Sequence, residues 1–88
     1  MTTFATPIDP TLTFAGARPD DLTGREQDVI RMITRGLTNQ EIASELYLSI
    51  NSVKTYVRSA YRKIGASHRS HAVIWGVRNG FLPTSTTA

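Results

Sequence analysis

The chain contains no cysteine, and this absence excludes disulfide bridges and thiolate-ligated metal sites. No run of apolar residues approaches the roughly 20 that a membrane-spanning helix needs. The N-terminus lacks the basic-then-apolar order of a secretory signal. With 88 residues, 40% hydrophobic and 19% charged, the chain can form one small globular domain and is too short for the large enzyme folds. We therefore expect a cytoplasmic protein without a membrane partner.

Acidic residues are absent from residue 46 onward, although the net charge of the whole chain is only +3. The cations that follow the last acid, Glu45, are Lys54, Arg58, Arg62, Lys63, Arg69 and Arg78. Such one-sided charge is typical of a protein that binds a polyanion. A basic surface that only serves solubility is the alternative that charge alone leaves open.

The two ends of the chain differ in composition from its middle. Residues 1–21 contain three prolines and show no helical period, so they are predicted to form an N-terminal arm or linker. Two alternatives are open for this arm: it packs on the domain through its apolar residues, or it is a disordered tail with exposed apolar residues. These residues are Phe4, Ile8, Leu12 and Phe14. Residues 83–88 are predicted to form a flexible tail, which leaves residues 22–82 as the domain.

Four segments of the middle carry helix signals. Thr-x-x-Glu capping boxes mark N-termini at Thr23 and Thr38, and serines mark two more at Ser49 and Ser67. Apolar residues then recur at helical spacing, glycines follow three of the segments, and nothing alternates as a strand would. The predicted fold class is all-α, with four helices: about 24–35, 39–46, 50–64 and 68–79.

The third predicted helix separates apolar residues from cations. Its apolar face consists of Val53, Val57, Ala60, Tyr61 and Ile64. Lys54, Arg58 and Arg62 form an i, i+4, i+8 ladder on another face, with successive members about 6 Å apart. No acid on the helix pairs with them, so they repel one another slightly, and DNA phosphates would relieve that repulsion. Together with the short helix before it and the three-residue turn between them, this basic helix is typical of a helix-turn-helix motif. The alternative is an ordinary three-helix bundle with a basic surface.

Four motifs within residues 22–82 carry a resemblance to a known family. They are Leu22-Thr23-x-Arg25-Glu26, Gly36-Leu37-Thr38-Asn39-x-Glu41-Ile42-Ala43, Leu48-Ser49-x-x-Ser52-Val53-Lys54-x-Tyr56-Val57 and Arg62-Lys63-Ile64-Gly65. The chain closely resembles the LuxR-type (GerE-like) DNA-binding domain of bacterial transcription regulators. The resemblance implies a four-helix regulator domain that is not an enzyme, has no cofactor, and binds double-stranded DNA as a homodimer.

The resemblance also assigns roles to individual residues. Helix 3 is implied to enter the major groove, with base contacts from Asn51, Lys54, Thr55 and Arg58. The implied phosphate contacts are Thr38, Asn39, Gln40, Ser52, Tyr56, Arg62 and Lys63. Tyr47 stands where the family's turn commonly has glycine, so a positive φ there would be strained.

The fourth helix is apolar on more than one side. The family pattern places Ala72, Val73 and Gly76 toward the core, so Ile74, Trp75 and Arg78 are expected to point away from it. We expect a second copy of this helix or the N-terminal arm to cover Trp75, and favour a symmetric dimer with recognition helices about 34 Å apart. The alternative function is a protein-interaction adaptor whose Trp75 face docks on RNA polymerase, a sigma factor or another regulator, with weak DNA binding.

The other polar clusters of the sequence do not predict a metal site or a catalytic site. His68 and His71 could supply half of a metal site, but no third ligand lies near them in sequence, so no metal is expected. The acids at the start of helix 1 suit the helix dipole, and neither a nucleophile elbow nor a glycine-rich phosphate loop occurs, so no catalytic residue is predicted. The receiver or ligand-binding domain usual in the family does not fit in 21 residues. The chain is therefore either part of a larger regulator or, as Met1 favours, a free-standing one.

Overall fold

A computed structural model describes residues 16–81 of the chain, and within them it contains helices and no strand. A 3₁₀ turn over Pro19–Asp21 precedes four α-helices: α1 (Gly24–Thr34), α2 (Asn39–Leu46), α3 (Ile50–Ile64) and α4 (Arg69–Arg78). The predicted all-α, four-helix fold is confirmed. The apolar residues of the predicted arm (Phe4, Ile8, Leu12 and Phe14) and the tail at 83–88 lie outside the described residues.

Three of the four helices begin at the predicted caps. Thr23 Oγ1 accepts from the Glu26 N–H at 3.2 Å, and the Glu26 carboxylate accepts from the Thr23 N–H at 2.9 Å. The same reciprocal pair forms between Thr38 and Glu41 at 3.1 and 2.8 Å. Ser49 Oγ accepts from the Ser52 N–H at 3.1 Å. Each pair satisfies amides that the first helical turn leaves without partners, which is why these starts were predictable.

The fourth helix begins one residue later than predicted, and Ser67 does not cap it. Its N-cap is His68, whose side chain makes no capping hydrogen bond. The Ser67 N–H instead donates to His71 Nδ1 at 3.1 Å. At the start of α4, a buried imidazole therefore accepts a backbone N–H, whereas hydroxyl and carboxylate oxygens do so at the other three helix starts. Sequence rules for helix caps consider oxygen acceptors, so they do not predict this hydrogen bond.

Helix α1 occupies the centre of the domain, because both α3 and α4 pack extensively against it, whereas α2 packs mainly on α3. The buried apolar residues are Leu22, Val29, Ile30, Ile33, Ile42, Ala43, Val53, Ala60, Ile64, Ala72, Trp75 and Phe81. All four helices contribute to this one core. The arrangement leaves the opposite face of α3 free to meet another molecule.

The turn between α2 and α3 contains the described region's one non-glycine residue with positive φ. Tyr47 has φ 57° and ψ 44°, and its side chain is 94% exposed. The next residue, Leu48, donates its N–H back to the Ala43 carbonyl at 2.9 Å and closes the helix end. Tyr47 therefore adopts the positive φ that was expected to be strained for a non-glycine residue. This conformation costs on the order of 1 kcal/mol, and the described part of the chain covers almost none of the Tyr47 surface.

The last residues of the predicted arm lie against the domain. Ala17 is half-buried beside the core. The Pro19 carbonyl accepts from Gln27 Nε2 of α1 at 2.9 Å, and the Arg18 N–H donates to Asp21 at 2.8 Å. The packed unit therefore begins before Leu22, the residue at which the predicted domain starts.

Candidate nucleic-acid interface

Helix α3 has one buried face and one exposed cationic face, as its sequence predicts. Val53, Ala60 and Ile64 are fully buried against the other helices. On the other side the whole ladder of Lys54, Arg58 and Arg62 is exposed. Within the described part of the chain, the ion pairs involve other residues, so none of the three ladder cations is neutralised by a carboxylate. The exposed face of α3 can therefore offer three positive side chains to an anion.

Small polar side chains surround the N-terminal end of this ladder. Asn51 and Thr55 are exposed, and Thr55 Oγ1 donates to the Asn51 carbonyl at 3.0 Å. With the half-buried Ser52 and Tyr56, they line a shallow depression of about 290 Å³ on the surface of α3. Amide and hydroxyl groups can donate or accept hydrogen bonds, so the depression suits the mixed edges of bases and sugars.

The start of α2 supplies a second group of candidate contacts. Thr38 and Gln40 are exposed, whereas Asn39 is half-buried. The capping box occupies the Thr38 hydroxyl and places the Glu41 carboxylate at this helix start. The predicted capping role of Thr38 is therefore present, and this role can coexist with a phosphate contact. The N-terminal dipole still favours an anion at Asn39 and Gln40, but the nearby carboxylate opposes a phosphate there.

Lys63 has a partner that the sequence did not reveal. Its Nζ lies 2.7 Å from Glu26 Oε1 across the interface between α3 and α1, and the Glu26 side chain is only 5% exposed. Ser59 Oγ donates to the other oxygen of the same carboxylate. Lys63 thus belongs to a hydrogen-bond network inside the protein. Its ammonium group is less available to a DNA phosphate than the exposed guanidinium of Arg62. Glu26 was predictable only as a capping residue, since nothing in the spacing connects residues 26 and 63.

Hydrogen bonds decide the protonation state of Glu26. Burial raises the pKa of its carboxyl, but donation from Lys63, Ser59 and the Thr23 N–H, together with the Lys63 charge, outweighs burial and lowers the pKa from 4.5 to about 2. The carboxylate is consequently charged across the physiological range. It acts as a fixed acceptor between α1 and α3.

Comparison with known proteins shows which family the chain is similar to. The model of the family described as bacterial regulatory proteins, luxR family, matches residues 20–76. The chain belongs to the luxR family. It is also 36% identical over 70 residues to the uncharacterized transcriptional regulatory protein YxjL of Bacillus subtilis (strain 168), an alignment that covers 80% of this chain and 32% of that protein. The chain spans about a third of the length of this curated relative. The luxR family is one of regulatory proteins and not an enzyme family.

In this luxR-family domain, the expectation that Trp75 points away from the core is wrong. The ring is 2% exposed, and Phe81 packs edge-on against it with centroids 5.4 Å apart. Phe81 returns to the core because its N–H donates to the Gly76 carbonyl at 2.8 Å. Trp75 therefore contributes to neither a dimer interface nor an adaptor surface, and the adaptor alternative loses its basis. The sequence signal that was missed is the aromatic residue directly after Gly80.

The outer side of α4 is made by other residues. Val77 is 48% exposed and Arg78 is exposed, whereas Val73 and Ile74 are half-buried. Arg78 and, in part, Ile74 therefore point away from the core, as expected. Val73 was expected in the core and is only partly buried. Val73, Ile74, Val77 and Arg78 are called the α4 patch below.

The histidine pair shows no third metal ligand beside it. The rings of His68 and His71 stack with centroids 4.9 Å apart. Between residues 16 and 81, the side chains of His, Asp and Glu nowhere gather in threes that could hold a metal ion. In the same range, no helix combines the length and apolar character required to cross a bilayer.

Proposed function

We propose that this luxR-family domain is the sequence-specific, double-stranded DNA-binding part of a transcription regulator, and that α3 enters the major groove. The observation that carries the proposal is the division of α3 into a face buried in the core and an exposed face with three unneutralised cations. A helix with its side chains fits a groove about 12 Å wide. Base contacts would come from Asn51, Lys54, Thr55 and Arg58.

Phosphate contacts would come from other residues of α3 and from the start of α2. Arg62, Ser52 and Tyr56 lie on α3, and Thr38, Asn39 and Gln40 lie at the start of α2. Binding through cations and helix N-termini positions a protein on the duplex without identifying its sequence. Affinity should therefore fall steeply as the salt concentration rises.

Replacement of Arg58 by alanine tests the assignment of base contacts. We expect it to weaken binding to the preferred duplex by about 1–3 kcal/mol and to relax the sequence preference, because a guanidinium that contacts a base edge discriminates between bases. The preferred sequence would first be selected from a random duplex library with the parent protein. Fluorescence anisotropy titrations at two salt concentrations would then compare the preferred duplex with a scrambled one.

Arg25→Ala is the matched control for this experiment. It removes the same charge from an exposed position on α1, where Arg25 lies 3.7 Å from Asp28. We expect it to retain the parent's preference between the two duplexes. Equal binding of both duplexes by the parent would contradict the proposed function, and an unchanged preference in Arg58→Ala would contradict the role of Arg58.

The proposal extends to a homodimer formed through α4. Burial of Trp75 removes one of the expected contacts, but the α4 patch retains an exposed valine between partly exposed apolar residues and an arginine. Two-fold pairing of this patch would bury the apolar side chains of both copies and would place two α3 helices on adjacent half-sites.

Introduction of a charge into the α4 patch should disrupt that dimer. In Val77→Glu, two-fold symmetry would bring two carboxylates close together in a desolvated interface, so we expect the dimer dissociation constant to rise at least about tenfold. Sedimentation equilibrium in the presence of a two-half-site duplex measures this. Ser44→Glu, which adds the same charge to the exposed surface of α2, serves as the control. A dimer that survives Val77→Glu unchanged would contradict the α4 interface.

A further inference from the structure

Two residues that attach α3 to α1 are direct neighbours of ladder cations. Ser59 follows Arg58, and Lys63 follows Arg62. Both residues bond to the single carboxylate of Glu26, with Lys63 Nζ at 2.7 Å. Because Ser59 and Lys63 are four residues apart, they share one stripe of the helix and lie about 100° around it from the arginines.

We propose that Glu26 is a positioning residue for DNA recognition: by holding Ser59 and Lys63, its carboxylate sets the rotation of α3 and so aims Arg58 and Arg62. The inference rests on the proposed function and adds a determinant of specificity that makes no contact with DNA. It also gives Lys63 a role within the protein.

Apolar packing alone would hold this rotation less tightly. The contacts of Ala60 and Ile64 are non-directional, so a small rotation of the helix costs them little. Hydrogen bonds weaken steeply when their angle or distance departs from the optimum. At a radius of about 6 Å, a rotation of 10° moves a side-chain tip by about 1 Å. A recognition contact needs placement within about 0.5 Å, so this difference is large enough to affect base discrimination.

The carboxylate is itself held in place and is suited to the task. Oε1 accepts from the Thr23 N–H at 2.9 Å as well as from Lys63, while Oε2 accepts from Ser59. The capping box therefore fixes the side chain from its own helix. Glutamine in the same place would offer only one acceptor oxygen and no negative charge for Lys63, and its NH₂ group could meet Ser59 only by reversing the direction of that hydrogen bond.

The test compares Glu26→Gln and Ser59→Ala with the parent on two duplexes. Each variant is first shown to be folded by circular dichroism at the temperature of the titration. We expect affinity for the selected duplex to fall at least about tenfold in Glu26→Gln and several-fold in Ser59→Ala, while affinity for the scrambled duplex stays within about twofold. The ladder cations remain exposed, so non-specific phosphate binding should persist.

Asp28→Asn provides the matched control, since it removes one carboxylate from α1 at a position that, among residues 16–81, pairs only with Arg25 and Arg31 of the same helix. Its preference should equal the parent's. Lys63→Arg should keep the preference because it retains a cation for Glu26, whereas Lys63→Met should lose the preference.

A purely structural role would lower the unfolding temperature and leave the preference of the folded protein unchanged. That result in both Glu26→Gln and Ser59→Ala would overturn the inference. If Glu26→Gln does not fold at any temperature, Ser59→Ala decides alone, since it removes only one hydroxyl. A parent that shows no preference between the duplexes identifies failure of the proposed function before any variant is compared.

Discussion

Replacing Gly76 by alanine is expected to lower the free energy of unfolding by about 3 kcal/mol. A Cβ at this position would lie 1.9 Å from Thr34 Oγ1 and 3.0 Å from Thr34 Cβ, where α4 crosses α1. Thr34 is buried, and its hydroxyl donates to the Ile30 carbonyl at 2.7 Å, so it cannot turn aside without loss. The helices would have to separate, which loosens the packing of the whole core. Urea denaturation followed by circular dichroism measures the change.

Gly24→Ala is the control for this substitution. An added Cβ there meets no atom within 4 Å, and the position is the first residue of α1. We expect its free energy of unfolding to remain within about 0.5 kcal/mol of the parent's. Thr34→Ala should also restore part of the stability lost in Gly76→Ala, because it removes the atom closest to the new methyl group. A Gly76→Ala protein as stable as the parent would contradict the close approach of α4 to Thr34 of α1.

Glu26→Gln is expected to lower the free energy of unfolding on the order of 3 kcal/mol at neutral pH and much less in acid. The folded pKa of Glu26, about 2, lies below its ordinary value of 4.5. The stabilisation that this difference represents is present above pH 4.5 and is lost as the pH falls toward 2. The measurement is urea denaturation of parent and variant at several pH values between 7 and 2.

The difference in the free energy of unfolding between parent and variant reports on Glu26 alone, because the other carboxylates titrate in both proteins. We expect this difference to shrink steadily below pH 4.5. Asp28→Asn, a substitution of a more exposed carboxylate on the same helix, should remain close to the parent at every pH. If the free energies of unfolding of Glu26→Gln and the parent differ by the same amount at every pH, the charge of the carboxylate does not contribute to stability.

Local signals explain why much of the fold was predictable. The bounds of α3 follow from the Ser49 cap at its start and from the glycine immediately after its end, and the start of α2 follows from the capping box at Thr38. Gly65, for example, has φ 80° directly after α3, as its position after an apolar-periodic stretch predicts. The exposed cationic face of α3 was predictable for the same reason, because helical periodicity places residues on faces without tertiary information.

Tertiary contacts account for what the sequence did not reveal. The burial of Trp75 depends on Phe81 turning back over it, and the Glu26 network joins residues that are 33 and 37 positions apart. Neither contact has a periodic or capping pattern. His71 belongs to the same class, since a histidine on an apolar helix gives no indication that its ring will accept a backbone N–H.

The central position of α1 has a mechanical consequence for the proposed dimer. The same helix packs against both α3 and α4, and its Thr34 side chain lies directly against Gly76 of α4. The separation of the two groove-bound helices would then be set jointly by this packing in each subunit and by the α4 interface between the subunits. Any accommodation of operators with unequal spacing would have to come from bending or twisting of the duplex, at an elastic cost that depends on its base steps.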